Sequence, residues 1–174
     1  MKVIYFFGLL GFLLLSDSIF IRTANAEMKS ITVSVDGLAC PFCAYGIEKK
    51  MKRLKGVKEI KILLNAGTVT LKCTENESPA FADVRSAVED AGFTPRVMKI
   101  TAYGTIIVDE TKSLLFKFND SEPPISLIDL KGNLKEKALL FAGNNVRVEL
   151  IAEVIRLDGD DWALSSERVE EVSQ

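Results

Sequence analysis

The chain contains no histidine, which removes imidazole from any metal site it could build. Cysteine is scarce as well: Cys40, Cys43 and Cys73 are the only three, and none lies beyond residue 100. Residues 101–174 therefore offer no cysteine, no histidine and no glycine-rich phosphate loop, so no catalytic constellation can be read there. Neither an internal repeat nor a low-complexity tract is present. Long apolar runs are rare. The clearest, Val3 to Leu15, is short for a membrane span, because Ser16, Asp17 and Ser18 interrupt it.

That run belongs to a recognisable leader. Lys2 supplies a positive start, and Ala24-Asn25-Ala26 has the small-x-small form of a cleavage site. We expect residues 1–26 to be a signal peptide cleaved after Ala26, with an uncleaved anchor as the alternative. The leader holds no cysteine, so a bacterial lipid anchor at the cleavage point is excluded. The expected location is periplasmic or secreted, with no stable membrane insertion once the leader is gone.

Charge divides what remains. Residues 27–100 carry 12 Lys and Arg against 9 Asp and Glu, a net of +3, whereas residues 101–174 carry 8 against 14, a net of −6. We expect one domain over 27–100 and a second, β-rich domain over 101–174.

The chemistry concentrates in Val35-Asp36-Gly37-Leu38-Ala39-Cys40-Pro41-Phe42-Cys43. Ile31, Val33 and Val35 alternate with Thr32, Ser34 and Asp36, which predicts a half-buried strand. After Cys43 the period changes, since Ile47, Met51 and Leu54 recur at helical spacing. The cysteine pair thus falls on a strand-to-helix turn, with Pro41 suited to the first helical turn. Backbone amides and the helix dipole favour thiolate there. A pair spaced this way can bind a soft metal ion, cycle through a disulfide as thioredoxin-like proteins do, or form a plain structural disulfide.

The surroundings separate these options. Val57, Ile60, Ile62 and Leu64 predict a second strand, turned at Asn65-Ala66-Gly67 into a third that ends at Cys73. A helix follows, capped at or near Ser78, with Phe81, Val84, Ala87 or Val88, and Ala91 on one face and Gly92 as its stop. Phe93 to Ile100 reads as the last strand. The order is β-α-β-β-α-β, a ferredoxin-like α+β domain. A thioredoxin-like layout would put a helix after the second strand, so metal binding is favoured over redox exchange. The same topology sends Cys73 to the sheet end opposite Cys40 and Cys43, so it should not be a ligand.

In 101–174 we expect strands over Tyr103–Val108, Leu114–Phe118 and Leu127–Leu130, then a short helix from Leu134 to Phe141. The long alternating run Val146–Leu157 and a strand at Trp162–Leu164 follow, and Ser165 to Val172 reads as an acidic tail. This suggests a small, mostly-β barrel of possible OB type.

Residues 30–100 resemble the heavy-metal-associated domain of copper chaperones, metal-pumping P-type ATPases and the periplasmic mercuric-ion scavenger. The residues that carry the resemblance are Gly37 to Cys43, Gly56-Val57, Gly67-Thr68-Val69-Thr70 and Ala91-Gly92-Phe93. It implies that Cys40 and Cys43 are the metal ligands and that Phe93 returns to the metal edge. Leu38 and Ala39 depart from the family's usual methionine and threonine without removing a ligand. Two thiolates suit Cu(I) or Hg(II), with Zn(II) or Cd(II) only if a carboxylate or water completes the shell. The expected function is capture and transfer of a soft ion by ligand exchange, without catalysis. The expected partner is a metal-donating or metal-accepting protein such as a membrane transporter, and no nucleic acid. The alternative is a periplasmic thiol-disulfide oxidoreductase using the same pair.

Overall fold

The structure, a computed structural model, describes residues 27–75, 77–119, 122–159 and 161–172. The leader expected over 1–26, with its cleavage point, lies outside the described residues. No described helix is long and apolar enough to cross a membrane.

Alternation at Ile31, Val33 and Val35 produces strand β1 (Glu27–Asp36), whose inward side chains are buried. Helix α1 (Pro41–Met51) follows and buries Ile47 and Met51, the positions its period selects. Strand β2 (Val57–Leu63) passes through a 3-10 turn at Leu64–Ala66 into β3 (Thr68–Cys73), with Gly67 left-handed at φ 58°. Helix α2 (Phe81–Glu89) begins after Ala80, which makes no side-chain capping bond, so the cap expected near Ser78 does not form. β1 lies antiparallel between β3 and strand β4 (Thr94–Val108). The expected βαββαβ order is present, and α1 and α2 pack against each other.

The remaining elements are β5 (Leu114–Lys117), β6 (Ile125–Ile128), α3 (Asn133–Asn144), β7 (Arg147–Arg156) and β8 (Trp162–Glu171). The eight strands among the described residues share one sheet, in the order β2-β3-β1-β4-β5-β6-β8-β7, and a further β4–β7 pairing closes the last five into a barrel. Phe116, Ile106, Leu150 and Leu164 fill its interior, and Ala138 of α3 is fully buried beside them.

Two expectations need correction. The strand read as ending at Ile100 and the one read as starting at Tyr103 are a single 15-residue strand, β4. Its residues 98, 100, 102, 104 and 106 are all buried, so the period-2 pattern never breaks at Thr101. The charge change near that point is a change of surface and leaves the backbone path unaffected. Second, Ser165 to Val172 is no tail. Most of it belongs to β8, which pairs antiparallel with β7 and parallel with β6. The run Val146–Leu157 holds one continuous strand, β7, and the irregularity sits on its partner β8, where the register shifts opposite Ile151 and Ala152.

Candidate metal centre

The cysteine pair is built by the meeting of β1 with α1. Gly37, at φ 81°, turns the chain out of β1 in a conformation that a side chain would strain. Leu38, next in the turn, is 2 % exposed and belongs to the hydrophobic core. Cys40 is the N-cap of α1, with extended backbone, and its Sγ accepts a hydrogen bond from the Cys43 amide at 3.2 Å. Pro41 follows in the first turn, where its missing N–H costs no helical bond. The Cα atoms of Cys40 and Cys43 stand 5.2 Å apart and the two sulfurs are joined as a disulfide. Both side chains are half-buried. Reduced, the pair would present two sulfurs at the positive end of a helix, where thiolate is favoured.

Phe93 arrives at the same edge. A side chain at Gly37 would lie 3.8 Å from Phe93 Cδ1, so the aromatic ring borders the turn. Asp36, the carboxylate nearest in sequence, is engaged elsewhere: Arg96 Nε donates to it at 2.6 Å across the β1–β4 pairing. That ion pair raises the Arg96 guanidinium above its ordinary range. Among the described residues no group of three histidine, cysteine or acidic side chains gathers around a common point. The donor set on hand is two sulfurs.

Cys73 is not brought to this site. It ends β3 opposite Val57, beyond the Lys72–Ser30 pairing, whereas the cysteine turn follows Asp36 at the other end of β1. It is a buried free thiol, pushed up to about 11 by burial and then by the Glu27 charge. Three residues of the edge escaped the sequence reading. Arg96 could not be paired with Asp36 before the β1–β4 register was known. Phe42 and Tyr45 are 91 % and 68 % exposed, and their only signal was that neither falls on the Ile47–Met51 stripe.

Residues 32–94 match the family model of the heavy-metal-associated domain. Two curated relatives carry the name copper chaperone CopZ. The protein from Staphylococcus saprophyticus is 27 % identical over 66 residues, which cover 38 % of this chain and 96 % of its own. The one from Bacillus subtilis is 29 % identical over 66 residues, covering 38 % of this chain and 94 % of its own. Among solved structures, oxidized MerP from Ralstonia metallidurans aligns over 40 % of this chain and 94 % of that one, at 19 % identity and a TM-score of 0.36. Residues 32–94 are thus a heavy-metal-associated domain, related to copper chaperones and carried on a longer chain whose C-terminal half no family covers.

Proposed function

We propose that the chain captures a soft metal ion, Cu(I) or Hg(II), between the reduced thiolates of Cys40 and Cys43 and hands it on by ligand exchange. The observation that carries this reading is the pair itself, at the N-terminus of α1 inside a heavy-metal-associated domain. An external dithiol, oxidised to its own disulfide, supplies the two electrons and two protons that reduce the Cys40–Cys43 bond to two thiols, and binding of the ion displaces their protons. Cys40, at the turn, is the sulfur that an incoming partner thiolate replaces first, while Cys43 holds the ion from the helix. With Asp36 held by Arg96, a linear two-sulfur shell suits Cu(I) or Hg(II) better than the four ligands Zn(II) prefers.

In this reading the acceptor or donor is another metal-handling protein, such as a membrane transporter, and the leader over residues 1–26 places the exchange outside the cytoplasm. The C-terminal half acts as scaffold. Its barrel strands run β4-β5-β6-β8-β7 with β6 and β8 parallel and α3 before β7, an order that favours an OB-type barrel. The division into 27–100 and 101–174 is then one of task, metal handling and support.

The test is titration of the reduced chain with Cu(I) against a competing chelator. One ion per chain is expected. Cys40→Ser or Cys43→Ser should each lower affinity by more than the ~10–100-fold that loss of an outer-shell partner costs, and Cys73→Ala should leave it unchanged. Equal loss from Cys73→Ala would defeat the assignment. One observation favours a thiol-disulfide exchange reading, namely that the two sulfurs are bonded in the structure. Turnover of a disulfide substrate that Cys40→Ser abolishes, together with weak Cu(I) binding, would put that reading first.

A further inference from the structure

Helix α1 has a second face, open to solvent at Phe42 and Tyr45, which ends at Arg53 beside the α2 groove that holds Asp83 and Asp90. Phe42, Tyr45, Lys49 and Arg53 follow one another by three, four and four residues, so they lie along one stripe of the helix and the turn that closes it. The stripe is opposite the buried Ile47 and Met51. Phe42 is 91 % exposed and Tyr45 is 68 % exposed, which is unusual for adjacent aromatics on a helix that is otherwise well packed. Between them and Lys49 sits Gly46, beside which a side chain would meet nothing within 4 Å. Lys52 is neutralised by Glu48 and Lys50 faces Asp90 at 3.8 Å, but neither Lys49 nor Arg53 forms an ion pair among the described residues.

We propose that this stripe adsorbs to a bilayer carrying anionic headgroups, with Phe42 and Tyr45 entering the headgroup boundary and Lys49 and Arg53 held at the phosphates. One feature favours a lipid surface over an acidic protein. The aromatics protrude from a convex helix face, so they need no matching slot, and the headgroup region accepts such rings without one. Residues 27–100 carry a net charge of +3 against −6 over 101–174, so the stripe belongs to the half that a negative surface attracts. Cys43 flanks the stripe on the same helix, so adsorption would bring the cysteine turn to the membrane face without any span. The proposal does not depend on the cysteines binding metal.

All described elements lie within residues 27–172, so the chain from Glu27 to Gln174 is the species to test, free of the apolar leader. Co-sedimentation with vesicles of phosphatidylglycerol and phosphatidylcholine in equal parts, at low ionic strength, should show binding that pure phosphatidylcholine vesicles lack. Phe42→Ser with Tyr45→Ser, and Lys49→Glu with Arg53→Glu, should each reduce partitioning about tenfold or more, whereas Lys135→Glu on α3 should not. Phe42→Trp should retain binding and show blue-shifted emission on the mixed vesicles. Absence of binding to anionic vesicles, equal binding to neutral ones, or binding that both double variants retain would overturn the proposal. The first of these would leave an acidic protein surface as the occupant of the stripe.

Discussion

Cys73 is the residue whose chemistry the fold most clearly silences. Burial lifts its thiol from an ordinary value near 9 to about 11, with Glu27 adding to the shift. The sign of the stability effect follows. Below pH 9 the thiol is protonated whether the chain is folded or not, and nothing depends on it. Between pH 9 and 11 the unfolded chain releases its proton while the folded chain keeps it, so stability falls as pH rises through that window. Urea midpoints measured from pH 8 to pH 11 should decline more steeply in the native sequence than in Cys73→Ala. Parallel profiles would show that the thiol ionises freely in the fold. For the same reason Cys73 should resist alkylation at pH 8 in the native state and react once the chain is denatured. Other residues of the site were readable in advance for a local reason. The switch from period 2 to helical period falls between Val35 and Ile47, which places Cys40 and Cys43 on the turn without any knowledge of tertiary pairing. Asp36–Arg96 was not readable, because a contact across 60 residues depends on strand register.

At the scale of elements, the first half followed its sequence closely, and so did β5, β6, α3 and β7 of the second, whereas β4 and β8 did not. β1, α1, β2, β3 and α2 each combine an apolar period with a local stop: Gly56 after α1, Gly67 in the hairpin, Gly92 after α2. β8 has no such signature. Glu167, Arg168, Glu170 and Glu171 face solvent, while the buried Ser166 and Val169 stand three residues apart across a register shift, and only pairing with β6 and β7 reveals them as a strand. β4 hid its length for a related reason, since Ala102 and Gly104 are small and weakly strand-forming. Gly104 is small because the neighbouring strand β5 runs close against it. A side chain at that position would collide with the Lys117 carbonyl and lie 2.7 Å from Phe116 Cζ. Gly104→Ala should therefore destabilise the chain by about 1–3 kcal/mol, seen as a lower melting temperature, whereas Gly143→Ala, with open space around it, should be near neutral. Equal melting temperatures for the two variants would mean that β5 can shift away from β4 freely.

For the molecule as a whole, the question is whether the metal-binding half and the barrel can exist apart. Residues Lys99 to Tyr103 are used twice: β1 pairs along one edge of β4 as far as Tyr103, and β7 pairs along the other from Lys99 to Thr105. A cut after Ile100 removes Thr101, Ala102 and Tyr103, the partners of Ser30, Met28 and Glu27, and exposes the β4 edge that β7 covers. The same cut takes from the barrel the partners of Ala152 and Glu153. The two halves also touch through Phe81 and Trp162, whose rings meet edge-on at 5.7 Å, and through Lys99 and Glu167 at 2.6 Å. An aromatic pair of this kind contributes ~0.5–1.5 kcal/mol beyond its buried area, and the exposed ion pair adds little. Fragments that overlap in the shared segment should accordingly outlast fragments that abut. Residues 27–103 should melt above 27–100, and 99–174 above 101–174, with both longer pieces below the intact chain. Identical midpoints for the overlapping and abutting pairs would show that β4 divides energetically at Thr101 despite its continuous backbone.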